Sequence, residues 1–238
     1  LSYRHAFHAG NHADVLKHLI LIQIATYMAE KPAPFWIIDT HAGAGRYSLE
    51  SAQAGKLVEF RDGIGRLWER KGLPPAVADY VDFVRQLNPD GKLKHYPGSP
   101  WLARQLLRDS DRLRLYEMHS TDIKLLQECF KGAGRQVAVN DGDGFAGLKA
   151  LLPPPPRRAL VLIDPSYETK PDYANLIKAM QEALKRFATG TYAIWYPMLS
   201  KIESRQLPGR LKGLGAKNWL HATLEVSAPS PDGIGMYG

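Results

Sequence analysis

The stretch "ALVLIDPSYE" (159–168) runs five apolar residues straight into a carboxylate, a proline, a serine and a tyrosine. An apolar run of this length, closed by Pro165, reads as a strand buried on both faces, the kind found in parallel sheets. A carboxylate resists transfer out of water. Asp164 therefore marks the point where the chain leaves the core, and Tyr167 sets an aromatic ring beside it.

Similar runs lie on either side. "FWIIDT" (35–40), "LRLYEM" (113–118), "QVAVND" (136–141) and "YAIWYP" (192–197) read as further parallel strands, and "WLHATLEV" (219–226) as a sixth. Helical patterns separate them. "SPWLARQLLR" places Ser99 as an N-cap with Pro100 at the first helical position. "STDIKLLQECF" starts after another polar cluster, and "DYANLIKAMQEALKRFATG" is amphipathic, with Gly190 as its C-terminal stop. Strands alternating with helices predict an α/β fold with a mostly parallel, doubly wound, Rossmann-like sheet. About seventy residues separate the strands at 35–40 and 113–118, where one crossover helix would suffice. The excess falls in 48–95, where Val77, Tyr80, Val81, Val84 and Leu87 recur at helical spacing. The expected organisation is a core of residues 1–47 and 96–238 interrupted by a helical insertion subdomain at 48–95. "PPPP" (153–156) is a short stiff spacer before the strand at 159.

Composition narrows the function classes. The chain has 238 residues, 45% hydrophobic and 23% charged, which is ordinary for a globular protein. The longest apolar stretch, "VLKHLILIQIATYMA", carries Lys17 and His18 and is too short to span a bilayer. No charged segment followed by an apolar one suggests a secretory signal. Cys129 is the single cysteine, which rules out a disulfide framework and a cysteine zinc site and fits a cytoplasmic location. The formal charge of +7 favours a polyanionic partner.

In open parallel sheets ligands sit at the carboxyl ends of the strands. Here the first strand ends "DTHAGAGRY" (39–47), the second on Glu117, the third in "DGDGF" (141–145) and the fourth in "DPSY" (164–167). Gly43 and Gly45 allow a tight turn and a close backbone approach. Glu117 can accept two hydrogen bonds from a ribose diol, or be a solvated strand-end carboxylate. Asp143 can accept from an adenine amine with Phe145 beside the ring, or be a helix N-cap. In this order the set suits a nicotinamide dinucleotide or S-adenosylmethionine. A dinucleotide site needs Gly-x-Gly-x-x-Gly, and its third glycine is here Ser48. "DPSY" favours adenosylmethionine, with an aromatic amine as methyl acceptor. The lone pair of such an amine is delocalised into its ring. A carboxylate and a backbone carbonyl accepting its two N–H bonds turn that lone pair toward the methyl group. Asp164 and the carbonyl of Pro165 are the candidates, and Tyr167 can stack on the base.

With these residues, the chain resembles the class I adenosylmethionine-dependent methyltransferases, and more closely the RlmJ family, whose members methylate N6 of one adenine in bacterial 23S ribosomal RNA. The likeness rests on "LSYRHAFHAGNHADVLKH" at the start, "DTHAGAGRY", "YPGSP" (96–100), Glu117, "DGF" (143–145), "LIDPSYE" and "KRFATGTYAIWYP" (185–197). It implies that Lys17, His18, His41 and Ser99 line the methionine end of the cofactor. It further implies that Glu117 takes the ribose, Asp143 and Gly144 hold the adenine, Asp164 is catalytic and also contacts the cofactor, and Tyr3 approaches the RNA. A base must leave its stack to enter this pocket, so the expected substrate is naked or partly assembled 23S RNA, and the expected protein a monomer without a metal. Two departures stand out. The family pattern is Asp-Pro-Pro-Tyr, and Ser166 replaces its second proline. The pattern also continues past Gly238 with a further strand and a Pro-Pro-Trp segment.

Three other readings fit parts of the sequence. His5, His8, His12, Asp14 and His18 could ligate a metal in a hydrolase. The chain could bind adenosylmethionine and RNA with catalysis impaired through Ser166. The same chemistry could serve guanine N2 or a DNA adenine. In the insertion, Arg61, Arg66, Arg70 and Lys71 are candidates for phosphate contact or for an ordinary solvated face.

Overall fold

The protein is described by a computed structural model covering residues 5–50 and 59–226. Seven strands are present among the described residues: β1 (Trp36–Asp39), β2 (Arg46–Ser48), β3 (His95–Pro97), β4 (Arg112–Glu117), β5 (Val137–Asp141), β6 (Ala159–Ile163) and β7 (Thr191–Ile194). Five form one sheet in the order β5-β4-β1-β6-β7, and every neighbouring pair is parallel. The chain builds outward from β1 through β4 to β5, then returns to the other side of β1 for β6 and β7. The order therefore reverses between β1 and β6, which places the ligand crevice of a doubly wound sheet at their carboxyl ends.

Side chains alternate across the two faces, as the pleat requires. Ile37, Leu113, Leu115 and Leu160 pack on one face with α1 (His12–Ala29) and, further out, α2 (Ile64–Trp68) and α3 (Pro75–Gln86). The same layer holds α4 (Ser99–Leu106) and α5 (Asp122–Cys129). Ile38, Val161 and Ile163 pack on the other face with α6 (Gly144–Leu151), α7 (Lys170–Arg186) and α8 (Ile202–Lys212). Each fully buried Leu or Ile contributes about 2 kcal/mol, so the sheet is held from both sides.

Local sequence explains the helix ends. Asn11 caps α1 by accepting from the Asp14 amide at 3.0 Å. In α7, Thr169 and Asp172 form a reciprocal capping box, so the helix opens two residues before the Asp172 that seemed to begin it. It ends at Arg186; Gly190 lies in the turn beyond, where a Cβ would meet the Phe187 ring at 2.6 Å.

The segment between β2 and β3 is helical where described, with a 3₁₀ turn (Glu59–Asp62) before α2 and α3. Its two ends are tied together because β2 and β3 pair antiparallel. Tyr80, Val81 and Val84 of α3 share a core with Leu21 and Ile22 of α1.

Two sequence expectations need correction. Residues 219–226 form no strand among the described residues. An apolar run becomes a strand only with a partner, and here Leu220 is 91% exposed while Trp219 packs on the Lys212 ammonium 4.2 Å away. Ser99 is not the cap of α4. Gly98 holds that position, and the Ser99 hydroxyl is directed elsewhere.

Candidate active site

A cavity of about 260 Å³ opens over the carboxyl ends of β1, β4 and β6. It is lined by Lys17, His18, His41, Gly43, Ser99, Glu117, Asp143, Gly144, Asp164 and Pro165, ten of the residues singled out in the sequence. Gly45 and Tyr167 are not at its wall, and Tyr3 lies outside the described residues.

Glu117 ends β4 and is fixed by two backbone amides. Gly43 N–H donates to Oε2 at 2.7 Å and His119 N–H to Oε1 at 2.7 Å. Each oxygen keeps a lone pair for a ligand hydroxyl. Gly43 has φ +62, and a Cβ there would lie 2.2 Å from the Tyr47 hydroxyl, so only glycine fits the turn that delivers this amide. Gly45 (φ +81) serves the fold instead, since its carbonyl accepts from Gly98 N–H at 2.9 Å and secures the start of α4.

Asp143 caps α6 through Oδ1, which accepts from Phe145 N–H at 2.9 Å, and it also lines the cavity. The cap and the ligand readings therefore coexist. Gly144 begins α6 so close to β1 that a Cβ would come 2.1 Å from the Thr40 carbonyl oxygen. His41 crosses Phe145 edge-on with ring centroids 5.1 Å apart, and burial lowers its pKa to about 4. It is neutral at pH 7.

Asp164 carries the strongest contact. Its Oδ2 sits 2.6 Å from Lys17 Nζ, across 147 positions of sequence. Lys17 also reaches Asp14 Oδ1 at 3.0 Å, a contact aligned as an ion pair rather than a hydrogen bond, and lies 4.8 Å over the Trp195 ring. Asp14 is fully buried. Burial alone would raise its carboxyl, but the charges of His5 and Lys17 outweigh that and hold it well below the usual range. Lys17 thus spans two carboxylates, Asp14 and Asp164, at the wall of the cavity. His18 has Nδ1 2.8 Å from the Tyr96 hydroxyl, which in turn meets the Tyr80 hydroxyl at 2.9 Å. Burial lowers its pKa to about 4.

The other histidines of the N-terminal block diverge. His5 turns to Asp14 at 3.0 Å and His8 to Glu59 at 3.0 Å. No group of three His, Cys, Asp or Glu residues converges on a metal position among the described residues.

Over residues 32–238 the chain matches the family described as ribosomal RNA large subunit methyltransferase D, RlmJ. The chain belongs to the RlmJ family. It is 46% identical to "Ribosomal RNA large subunit methyltransferase J" of Escherichia coli (strain K12) over 99% of this chain and 84% of that protein. The identity is also 46% with the protein of the same name from Haemophilus influenzae (strain ATCC 51907 / DSM 11121 / KW20 / Rd), again over 99% and 84%. A crystal structure of a Legionella pneumophila protein aligns with a TM-score of 0.82 and 38% identity, covering 88% of this chain and 77% of that one. The doubly wound architecture is thus that of a solved relative as well as of this RlmJ sequence.

Within this frame Asp39 and Trp195 emerge at the site though the sequence did not single them out, and Asp14 takes a place other than the metal ligand considered for it. Asp39, at the end of β1, is 1% exposed, accepts from the Ser99 hydroxyl at 2.7 Å, and is raised by burial to about 6. The visible signal was a carboxylate ending an apolar strand, in the quoted "DTHAGAGRY" itself. Asp14 and Trp195, which flank Lys17, carry no such signal, because their role depends on tertiary contacts. Conversely, Tyr167 does not offer its ring to the cavity. It is 2% exposed, donates to the Trp195 carbonyl at 2.6 Å and packs on Tyr173 at 4.8 Å. Its φ of +53 is costly for a tyrosine and turns the ring back under the loop, so its work is to brace "DPSY" from beneath.

The Ser166 hydroxyl forms no hydrogen bond among the described residues. Ser166→Pro is therefore expected to leave methyl transfer equal or raise it, by restricting the unfolded and open states of the loop. A drop of more than about tenfold in kcat, with circular dichroism unchanged, would show that the hydroxyl serves a need absent from this geometry.

Proposed function

We propose that this protein transfers a methyl group from S-adenosylmethionine to the N6 amine of one adenine in 23S ribosomal RNA, taken as naked or partly assembled RNA. The observation that carries the reading is Asp164. It is a strand-end carboxylate at the switch point, with one oxygen held by Lys17 at 2.6 Å and the other directed to no partner among the described residues.

The cavity fits the cofactor by its donor set. Glu117 is pre-oriented for a ribose diol, Gly43 and Gly144 keep the floor free of side chains, and Asp143 with Phe145 stands where an adenine amine and ring would lie. Ser99 lines the cavity toward the amino-acid end, with its hydroxyl held from behind by the buried Asp39. The bound cofactor supplies an activated methyl group on a sulfonium centre.

The chain's own residues then act on the acceptor. Asp164 Oδ1 accepts one N–H bond of the amine and the Pro165 carbonyl accepts the other, drawing the nitrogen toward tetrahedral geometry. Lys17 keeps the carboxylate from rotating, and proline's fixed φ holds the second acceptor in place. Tyr167 positions both through its bond to Trp195. On this reading residues 48–95 are a subdomain inserted in the core of 1–47 and 96–238, and the protein works in the cytoplasm as a monomer without a metal.

The substrate form follows from access. A base must leave its stack to reach Asp164, at a cost of a few kcal/mol, and a folded subunit adds steric exclusion. Protein-free 23S RNA, or a hairpin from it, should be methylated at least about tenfold faster than mature 50S particles, with rates falling steeply as salt rises. Transfer of labelled methyl groups to the two substrates measures this; equal rates would overturn the choice of substrate form.

A further inference from the structure

A second hollow adjoins the active site. It is a groove of about 330 Å³ between α6 and α7, and it shares Asp143, Phe145 and Asn175 with the cavity described above. Both helices start at the carboxyl edge of the sheet, so the groove leads from the cavity mouth down the flank of the protein. Lys149, Lys178 and Arg186 line it, and Ala146, Ala179 and Ala183 give it a smooth floor.

Three cations gather in this groove, outnumbering its two acids. The insertion is rich in cations, but several are neutralised locally, Arg66 by Asp62 at 2.6 Å, Arg85 by Asp82 at 2.9 Å and Lys94 by Asp90 at 2.8 Å. None of Lys149, Lys178 and Arg186 forms an ion pair among the described residues. Two acids also line the groove. Glu182 is held by Lys185 at 3.0 Å, and Asp143 at the mouth is committed through Oδ1 to its helix cap.

We propose that this groove binds the sugar–phosphate backbone of the single strand that flanks the target adenine, with Lys149 and Lys178 on phosphates. The idea deepens the function proposed above and rests on it for the identity of the strand. The smooth floor admits a chain without base-specific contacts, and the lysines supply point charges suited to phosphate rather than to base edges. Its opening at Asp143, Phe145 and Asn175 means that a strand lying in it leads into the cavity that Asp164 also lines.

The test uses the double variant Lys149→Glu/Lys178→Glu, a fluorescent hairpin from 23S RNA and adenosylmethionine. Hairpin affinity should fall at least about tenfold, and the slope of log affinity against log salt should shrink by about 1.4, two phosphates at about 0.7 each for a single strand. Adenosylmethionine affinity by calorimetry should stay within about twofold, and kcat at saturating hairpin within about threefold. If charge reversal disturbs folding, Lys149→Gln/Lys178→Gln should show the same salt slope change with a smaller loss of affinity. Unchanged hairpin affinity and slope in a folded variant would overturn the groove, whatever its activity. A wild-type protein that binds the hairpin through these lysines yet never methylates it would keep the groove and sink the proposed reaction.

Discussion

Asp164→Asn should reduce methyl transfer by on the order of 10³-fold or more while adenosylmethionine affinity falls by less than about tenfold. The substitution keeps the shape of the side chain and removes its charge. The amide presents an acceptor and a donor where the carboxylate presents two acceptors, so the substrate amine loses the group that aligns its lone pair. Lys17 faces the amide oxygen in place of a charged partner and retains Asp14 at 3.0 Å, so the ammonium is not stranded. Glu117 and the Gly43 turn, which hold the ribose end, are untouched. Calorimetry alongside single-turnover transfer separates the two effects. Loss of cofactor binding equal to the loss of rate would move Asp164 from the acceptor to the cofactor.

Glu117→Ala should do the reverse. It removes the ribose acceptor and also two backbone bonds at 2.7 Å, one that fixes the Gly43 loop and one from His119 N–H in the turn after β4. Charge-assisted hydrogen bonds contribute about 1.5–3 kcal/mol each, and two amides are left without their carboxylate. The dissociation constant for adenosylmethionine should rise by on the order of 100-fold, with kcat at saturating cofactor retained within about tenfold. A variant that binds the cofactor normally would show that Glu117 only shapes the loop.

The contrast between these two residues shows what the sequence displays. Both are carboxylates at the ends of apolar runs, and a buried parallel strand announces itself by such a run. Sheet class, strand sequence and strand-end acids were therefore legible, and the reversal of strand order between β1 and β6 gathers those acids into one cavity. Pairing between distant positions was not legible. Nothing local in "VLKHL" says that Lys17 will meet Asp164, because that contact follows from how α1 lies across the sheet. Tyr167 misled for a similar reason. An aromatic beside a strand-end acid looks like a stacking platform, and only the position of β7, whose following residue Trp195 takes the phenol, shows the ring turned inward. The run at 219–226 has strand composition, but its described residues find no partner strand.

The central claim is that Asp164 and Pro165 hold an adenine N6 amine. Its most direct test is mass spectrometry of nucleosides from protein-free 23S RNA incubated with the purified protein and adenosylmethionine, wild type beside Asp164→Asn. The account predicts N6-methyladenosine at one adenine with the wild type and none above background with the variant. A methyl group on guanine N2, or N6-methyladenosine formed equally by both proteins, would contradict it.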